Sequence, residues 1–127
     1  MDDYIEQLCS DIQDGFSSKD IRFMIETRGV YMPFREASYV GLIINELVTN
    51  SIKYASCANI AIVIDMSRNQ RNYQLVIKDN GKGYDLTKLK TDGMGLTLVR
   101  ALVEDQLDGK MVMKNNNGVK YMIEYDL

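Results

Sequence analysis

The stretch from about Arg35 to Ala55 constrains this chain most, because it reads as one long helix whose two faces do different work. Pro33 stands just ahead of it, where a fixed φ suits the opening of a helix. At about 100° per residue, Ile43, Ile44, Leu47, Val48 and Ile52 fall on one broad arc suited to a core. Glu46, Asn50 and Lys53 are spaced four and then three apart, so they share a narrow arc beside it. One rigid element thus buries its apolar side and carries a carboxylate, an amide and an ammonium along its edge. Taken alone, such a trio also describes an ordinary solvated flank.

The rest of the chain supplies a sheet for this helix to cover. Asp2 to Asp14 predicts a first helix with Ile5, Leu8, Cys9 and Ile12 as its apolar stripe. Ile21, Phe23 and Ile25 alternate with Arg22, Met24 and Glu26, which is strand patterning, and Arg28-Gly29 ends the run. Ile60, Ile62, Ile64 and Met66 share one strand face, and Tyr73, Leu75 and Ile77 share another. Between them Ser67 to Asn72 predicts a polar hairpin loop. A third helix starts near Leu96 and turns Val99, Leu102, Val103 and Leu107 inward. Lys110 to Lys114 and Val119 to Tyr125 are strands joined by Asn115-Asn116-Asn117-Gly118, whose residues tolerate positive φ. Two hairpins make most pairings antiparallel, and three helices cover one face of such a sheet economically. The expected fold is therefore α+β: a two-layer α/β sandwich with a mixed, mostly antiparallel sheet and three helices on one face. Residues 1–127 form a single domain, large enough for a true core.

Composition excludes several function classes. The net charge is −3, which argues against a general nucleic-acid surface. There are two cysteines and no histidine, which argues against zinc and against Ser-His or Cys-His nucleophiles. Cys9 and Cys57 read as free thiols in a reducing cytoplasm. No apolar run is long enough to span a bilayer, so no direct membrane insertion is expected.

Two further motifs suit nucleotide chemistry. Asp79-Asn80-Gly81-Lys82-Gly83 puts an acid at a strand end with glycines two and four positions on. An aspartate there can accept a hydrogen bond from an exocyclic amine, and the glycines let the backbone approach a flat base. The same residues also describe a tight turn. Gly93-Met94-Gly95 opens the third helix, where exposed N–H groups and the helix dipole favour phosphate. A plain glycine N-cap is the alternative.

In this order and spacing the three motifs resemble those of the histidine-kinase-type ATPase superfamily, with its Bergerat-type fold, over nearly the whole chain. NELVTNSIKYA is similar to the family's N box, DNGKG to its first glycine box and GMGLTLVRAL to its second. GLIINELVTNSIKYA and the YIEQLCSDI helix ahead of it look more narrowly like sensor histidine kinases with a short nucleotide lid. The resemblance implies that Asn50 coordinates the Mg²⁺ bridging the phosphates of ATP. It implies that Glu46 positions or activates the attacking group, that Lys53 contacts the phosphates and that Tyr54 lies near the nucleotide. Asp79 would bind the adenine amino group, with Gly81 and Gly83 beneath the base. Gly93 and Gly95 would flank a lid from Tyr84 to Asp92 and meet the phosphates. Met94 and Leu96, inside the second glycine box, join the nucleotide-binding set. Phosphoryl transfer of this kind needs positioning, a metal and charge neutralisation rather than a covalent protein nucleophile.

Two departures carry consequences. The family often has a Gly-Thr pair before its last strand, with the threonine near adenine, but here Gly118 precedes Val119. A polar contact to the base is then missing or replaced by water. A sensor kinase also phosphorylates a histidine on a dimerising helical hairpin, and this chain has none. The implied partners are a histidine-bearing dimerisation domain, in the same full-length protein or a partner, and a downstream response-regulator receiver domain. On this reading the chain is an excised catalytic domain, without its phosphoacceptor and sensor domains. An anti-sigma-type serine kinase and a nucleotide-dependent interaction module without kinase activity are the rival functions.

Overall fold

The computed structural model describes residues 2–16, 20–27, 29–54, 59–80, 94–115 and 118–127. Three helices lie among these: α1 (Asp2–Gly15), α2 (Phe34–Tyr54) and α3 (Met94–Ala101). The strands are β1 (Asp20–Glu26), β2 (Asn59–Asn69), β3 (Asn72–Asp79), β4 (Lys110–Asn115) and β5 (Val119–Asp126). They form one sheet in the order β1-β2-β3-β5-β4. β1 and β2 are parallel because α2 crosses over between them, and the remaining pairs are antiparallel. This is the mixed sheet of the expected two-layer α+β architecture.

The period-two pattern decides which face is covered. Ile60, Ile62, Ile64 and Met66 of β2 are buried, and so are Leu75 and Ile77 of β3 and Tyr121 and Ile123 of β5. They join Ile5 and Cys9 of α1, the apolar arc of α2, and Val99 of α3 in one core. Alternate strand residues face away from that core. α1 packs on α2 and β1, and α2 packs on both β3 and α3. Among the described residues no helix is long and apolar enough to cross a membrane.

Two local features differ from the sequence pattern. The expected loop from Ser67 to Asn72 is a two-residue turn at Gln70 and Arg71, with Gln70 at φ 58°. Ser67 pairs with Gln74 and Asn69 with Asn72, so the polar residues belong to the ladder. Polarity there marks the exposed end of a hairpin ladder, not a loop. Arg68 braces the turn by donating to the Gln70 carbonyl at 2.6 Å while lying over the Tyr73 ring. The second difference is at the end of α3, which continues as a π-helical turn over Leu102–Gln106. Leu107 N–H donates to the Leu102 carbonyl at 3.0 Å, and Leu102, Val103 and Leu107 are all buried, as expected.

Candidate functional site

α2 carries the polar trio as the helical period requires. Glu46 and Asn50 are half-buried and Lys53 is exposed, while Leu47, Val48 and Ile52 are buried beside them. Lys53 stands in the last turn, where a cation complements the helix dipole. Tyr54 closes the helical backbone.

Asp79 is the last residue of β3 and is 2% exposed. A carboxylate so buried needs fixed partners. Its Oδ1 accepts the Val119 N–H at 3.2 Å, across the β3–β5 pairing. Its Oδ2 is also shielded from solvent. Gly118 makes this seat possible. It sits at φ 121°, and a Cβ there would collide with the Asp79 carbonyl oxygen and come within 3.3 Å of Oδ1. Asn80 then fixes the chain's exit from the strand. Its N–H donates to the Ala61 carbonyl at 3.2 Å, and its side-chain Oδ1 accepts the Ala61 N–H at 2.8 Å. One residue thus adds a full ladder step beyond Asp79, with an amide side chain in the role of a backbone carbonyl.

α3 begins at Met94, so the helix start expected to meet an anion is present. Met94 and Gly95 are helical and Leu96 is half-buried. Gly81, Gly83, Gly93 and the lid from Tyr84 to Asp92 lie outside the described residues. α2 touches both β3 and α3, so the elements bearing the other two motifs each adjoin the helix that carries the first.

The donors present suit a nucleotide with a hard cation. Among the described residues no group of three or more His, Cys, Asp and Glu could hold a metal ion without other ligands. Glu46 and Asn50 offer oxygen donors one helical turn apart, which fits Mg²⁺ held by one or two side chains together with phosphate oxygens. The buried, pre-fixed Asp79 fits an amine donor on a base.

What the sequence did not reveal is how Asn80, Gly118 and Val119 fix this strand end; Gly118 and Val119 were legible only as a hairpin turn and as a departure from the family's Gly-Thr pair. Asn80 was visible inside DNGKG as a turn residue only. Gly118 and Val119 gain their importance from strand order, because β3 and β5 are neighbours in space but not in sequence.

A five-stranded mixed sheet under three helices, in this order of elements, is the fold of histidine-kinase-type ATPase domains. The family model described as "Histidine kinase-, DNA gyrase B-, and HSP90-like ATPase" matches residues 36–127, and the chain belongs to that family. Sensor histidine kinase PdtaS of Mycobacterium tuberculosis is 35% identical over 81 residues, which cover 58% of this chain and 16% of that protein. The signal transduction histidine-protein kinase/phosphatase DegS of Brevibacillus brevis is 31% identical over 83 residues, covering 64% of this chain and 21% of that one. The match therefore spans under a quarter of the length of either relative. The histidine kinase domain of the Erythrobacter litoralis EL346 blue-light activated kinase superposes with a TM-score of 0.83, covering 96% of this chain and 62% of that one. At 21% identity that likeness concerns the fold.

Proposed function

We propose that this chain is the ATP-binding catalytic domain of a two-component sensor histidine kinase, delivering the γ-phosphate of ATP to a histidine on a separate dimerisation domain. A response-regulator receiver domain then takes the phosphate, and the domain works in the cytoplasm. The family membership and the sensor-kinase relatives support this reading. The single observation that carries it is Asp79, a buried carboxylate at a strand end, fixed through Oδ1 by the Val119 N–H. The acceptor histidine lies elsewhere, because this sequence contains no histidine.

The roles follow the chemistry of each side chain. Asp79 accepts the exocyclic amine of adenine and so selects against a base that presents a carbonyl there. Gly81 and Gly83 let the chain lie close under the base. Lys53 neutralises phosphate charge at the end of α2, and Tyr54 flanks the nucleotide. Backbone N–H groups from Gly93, Met94, Gly95 and Leu96 orient the phosphates. Asn50 is the ligand for Mg²⁺, which when bound offsets the charge that builds up on the phosphates. Glu46 orients the incoming acceptor group.

The test is calorimetric titration with ATP and ADP, with Mg²⁺ and with excess chelator, and with GTP as control. Adenine-selective binding with Mg²⁺ dependence for the triphosphate is expected. Equal binding of GTP, or no binding of either adenine nucleotide, refutes the proposal.

A further inference from the structure

The second face of the sheet is the one the described helices leave open, and the register organises it into rows. Lys78 pairs with Lys120, and Lys120 with Lys114, so three lysines stand side by side across β3, β5 and β4. The neighbouring row is Val76, Met122 and Val112. Lys78 and Lys114 are exposed and Lys120 is half-buried, while Val112 is 49% exposed. A shallow groove of about 270 Å³ follows the apolar row and is edged by Gln74, Lys110 and Glu124.

Two properties set this face apart from a merely solvated one. Like charges directly opposite on adjacent strands repel each other. Among the described residues no ion pair relieves these lysines, although acids outnumber bases in the chain by 18 to 15. Beside them, apolar side chains remain open to water on a sheet that could bury them under another layer.

We propose that this face docks an acidic amphipathic helix of a partner protein, making a third layer on the sheet. The dimensions agree. Adjacent strands are about 4.8 Å apart, and one helical turn rises about 5.4 Å. A helix laid across the strands brings carboxylates at i, i+4 and i+7 opposite successive lysines. Its neighbouring apolar stripe then covers Val76, Met122 and Val112. A nucleic acid fits less well, because Asp65 and Glu26 extend the apolar row on β2 and β1, and Glu124 borders the groove. The docking is independent of nucleotide binding.

The probe is a helix-stabilised synthetic peptide with a leucine stripe flanked by glutamates at i, i+4 and i+7, followed by amide NMR shift mapping. Shifts should centre on Val76, Val112 and Met122. Reversing two charges, Lys114→Glu with Lys120→Glu, should weaken binding about tenfold or more while the melting temperature holds. Should that variant fold poorly, Lys114→Gln with Lys120→Gln should give a smaller loss in the same direction. Unchanged binding in a folded variant overturns the proposal, as does equal binding of a peptide with lysines in place of the glutamates. Shifts on the helical face overturn it too. So does self-association of the chain through this face in sedimentation, or tighter binding of an RNA duplex there.

Discussion

At the scale of single residues, the candidate site depends on how one carboxylate is held. Asp79→Asn keeps an oxygen that can accept the Val119 N–H, so the strand end should survive. The new amide can instead turn a donor toward the donor of adenine. ATP affinity should fall about ten- to a hundredfold, on the order of 1.5–3 kcal/mol, with a melting shift of a few degrees at most. Calorimetry and thermal melting on the same sample decide it; intact binding in a poorly folded variant would make Asp79 purely structural. Gly118→Ala probes the seat itself. The methyl group would strike the Asp79 carbonyl, at a φ of 121° that L side chains rarely adopt. A loss of about 2 kcal/mol or more in urea unfolding is expected, together with weaker ATP binding. An unaltered urea midpoint would refute the seat. Asp79 was legible as an acid at a strand end, but its holder was not, being 40 residues away in sequence. The absent threonine at position 119 also looks different in the structure. What Val119 supplies to Asp79 is a backbone N–H, which any residue except proline has in place.

At the scale of elements, helix α2 was legible to within a residue or two because its apolar arc and its polar edge both follow the 3.6-residue period. What the pattern could not show is how α1 rests on it. Gly41 lies within α2, and a Cβ there would collide with the Tyr4 ring and hydroxyl. The absent side chain is the notch in which Tyr4 sits. Within a helix, Gly→Ala gains about 1 kcal/mol in propensity. The methyl group, however, would evict Tyr4, which is 44% exposed and free to swing outward. Gly41→Ala alone should therefore change stability little. In a Tyr4→Ala background the same substitution should recover the whole gain of about 1 kcal/mol. Urea unfolding of the four proteins measures the coupling, and strict additivity would show that the two residues do not share the notch. The π turn after α3 was equally hidden, since the inward set Leu102, Val103 and Leu107 is compatible with an unbroken helix or with this wider turn.

At the scale of the whole molecule, the fold class was legible from the order of elements, whereas the strand order β1-β2-β3-β5-β4 was not written in any local pattern. Residues from both ends of the chain contribute to the one core. Cys9 of α1 and Tyr125 of β5 are each 2% exposed, and each is neutral when it holds its proton. Burial, with a smaller contribution from Glu6, pushes the Cys9 thiol up to about 12. Burial, then Tyr73 and Glu36, also raise Tyr125, whose ring stacks on Tyr73 at 5.2 Å and whose hydroxyl donates to Met32 Sδ at 3.4 Å. In the unfolded chain these groups titrate near their ordinary values of about 8.5 and about 10. The unfolded chain therefore releases these protons first as pH rises. Their contribution to stability is fully present below about pH 8.5 and is lost progressively as the pH climbs toward 12. The urea midpoint should accordingly decline across that alkaline window. The decline should be shallower in a Cys9→Ala, Tyr125→Phe double variant, which keeps the ring stack but has neither proton to lose. Identical slopes in parent and variant would place the alkaline sensitivity of this domain in other groups.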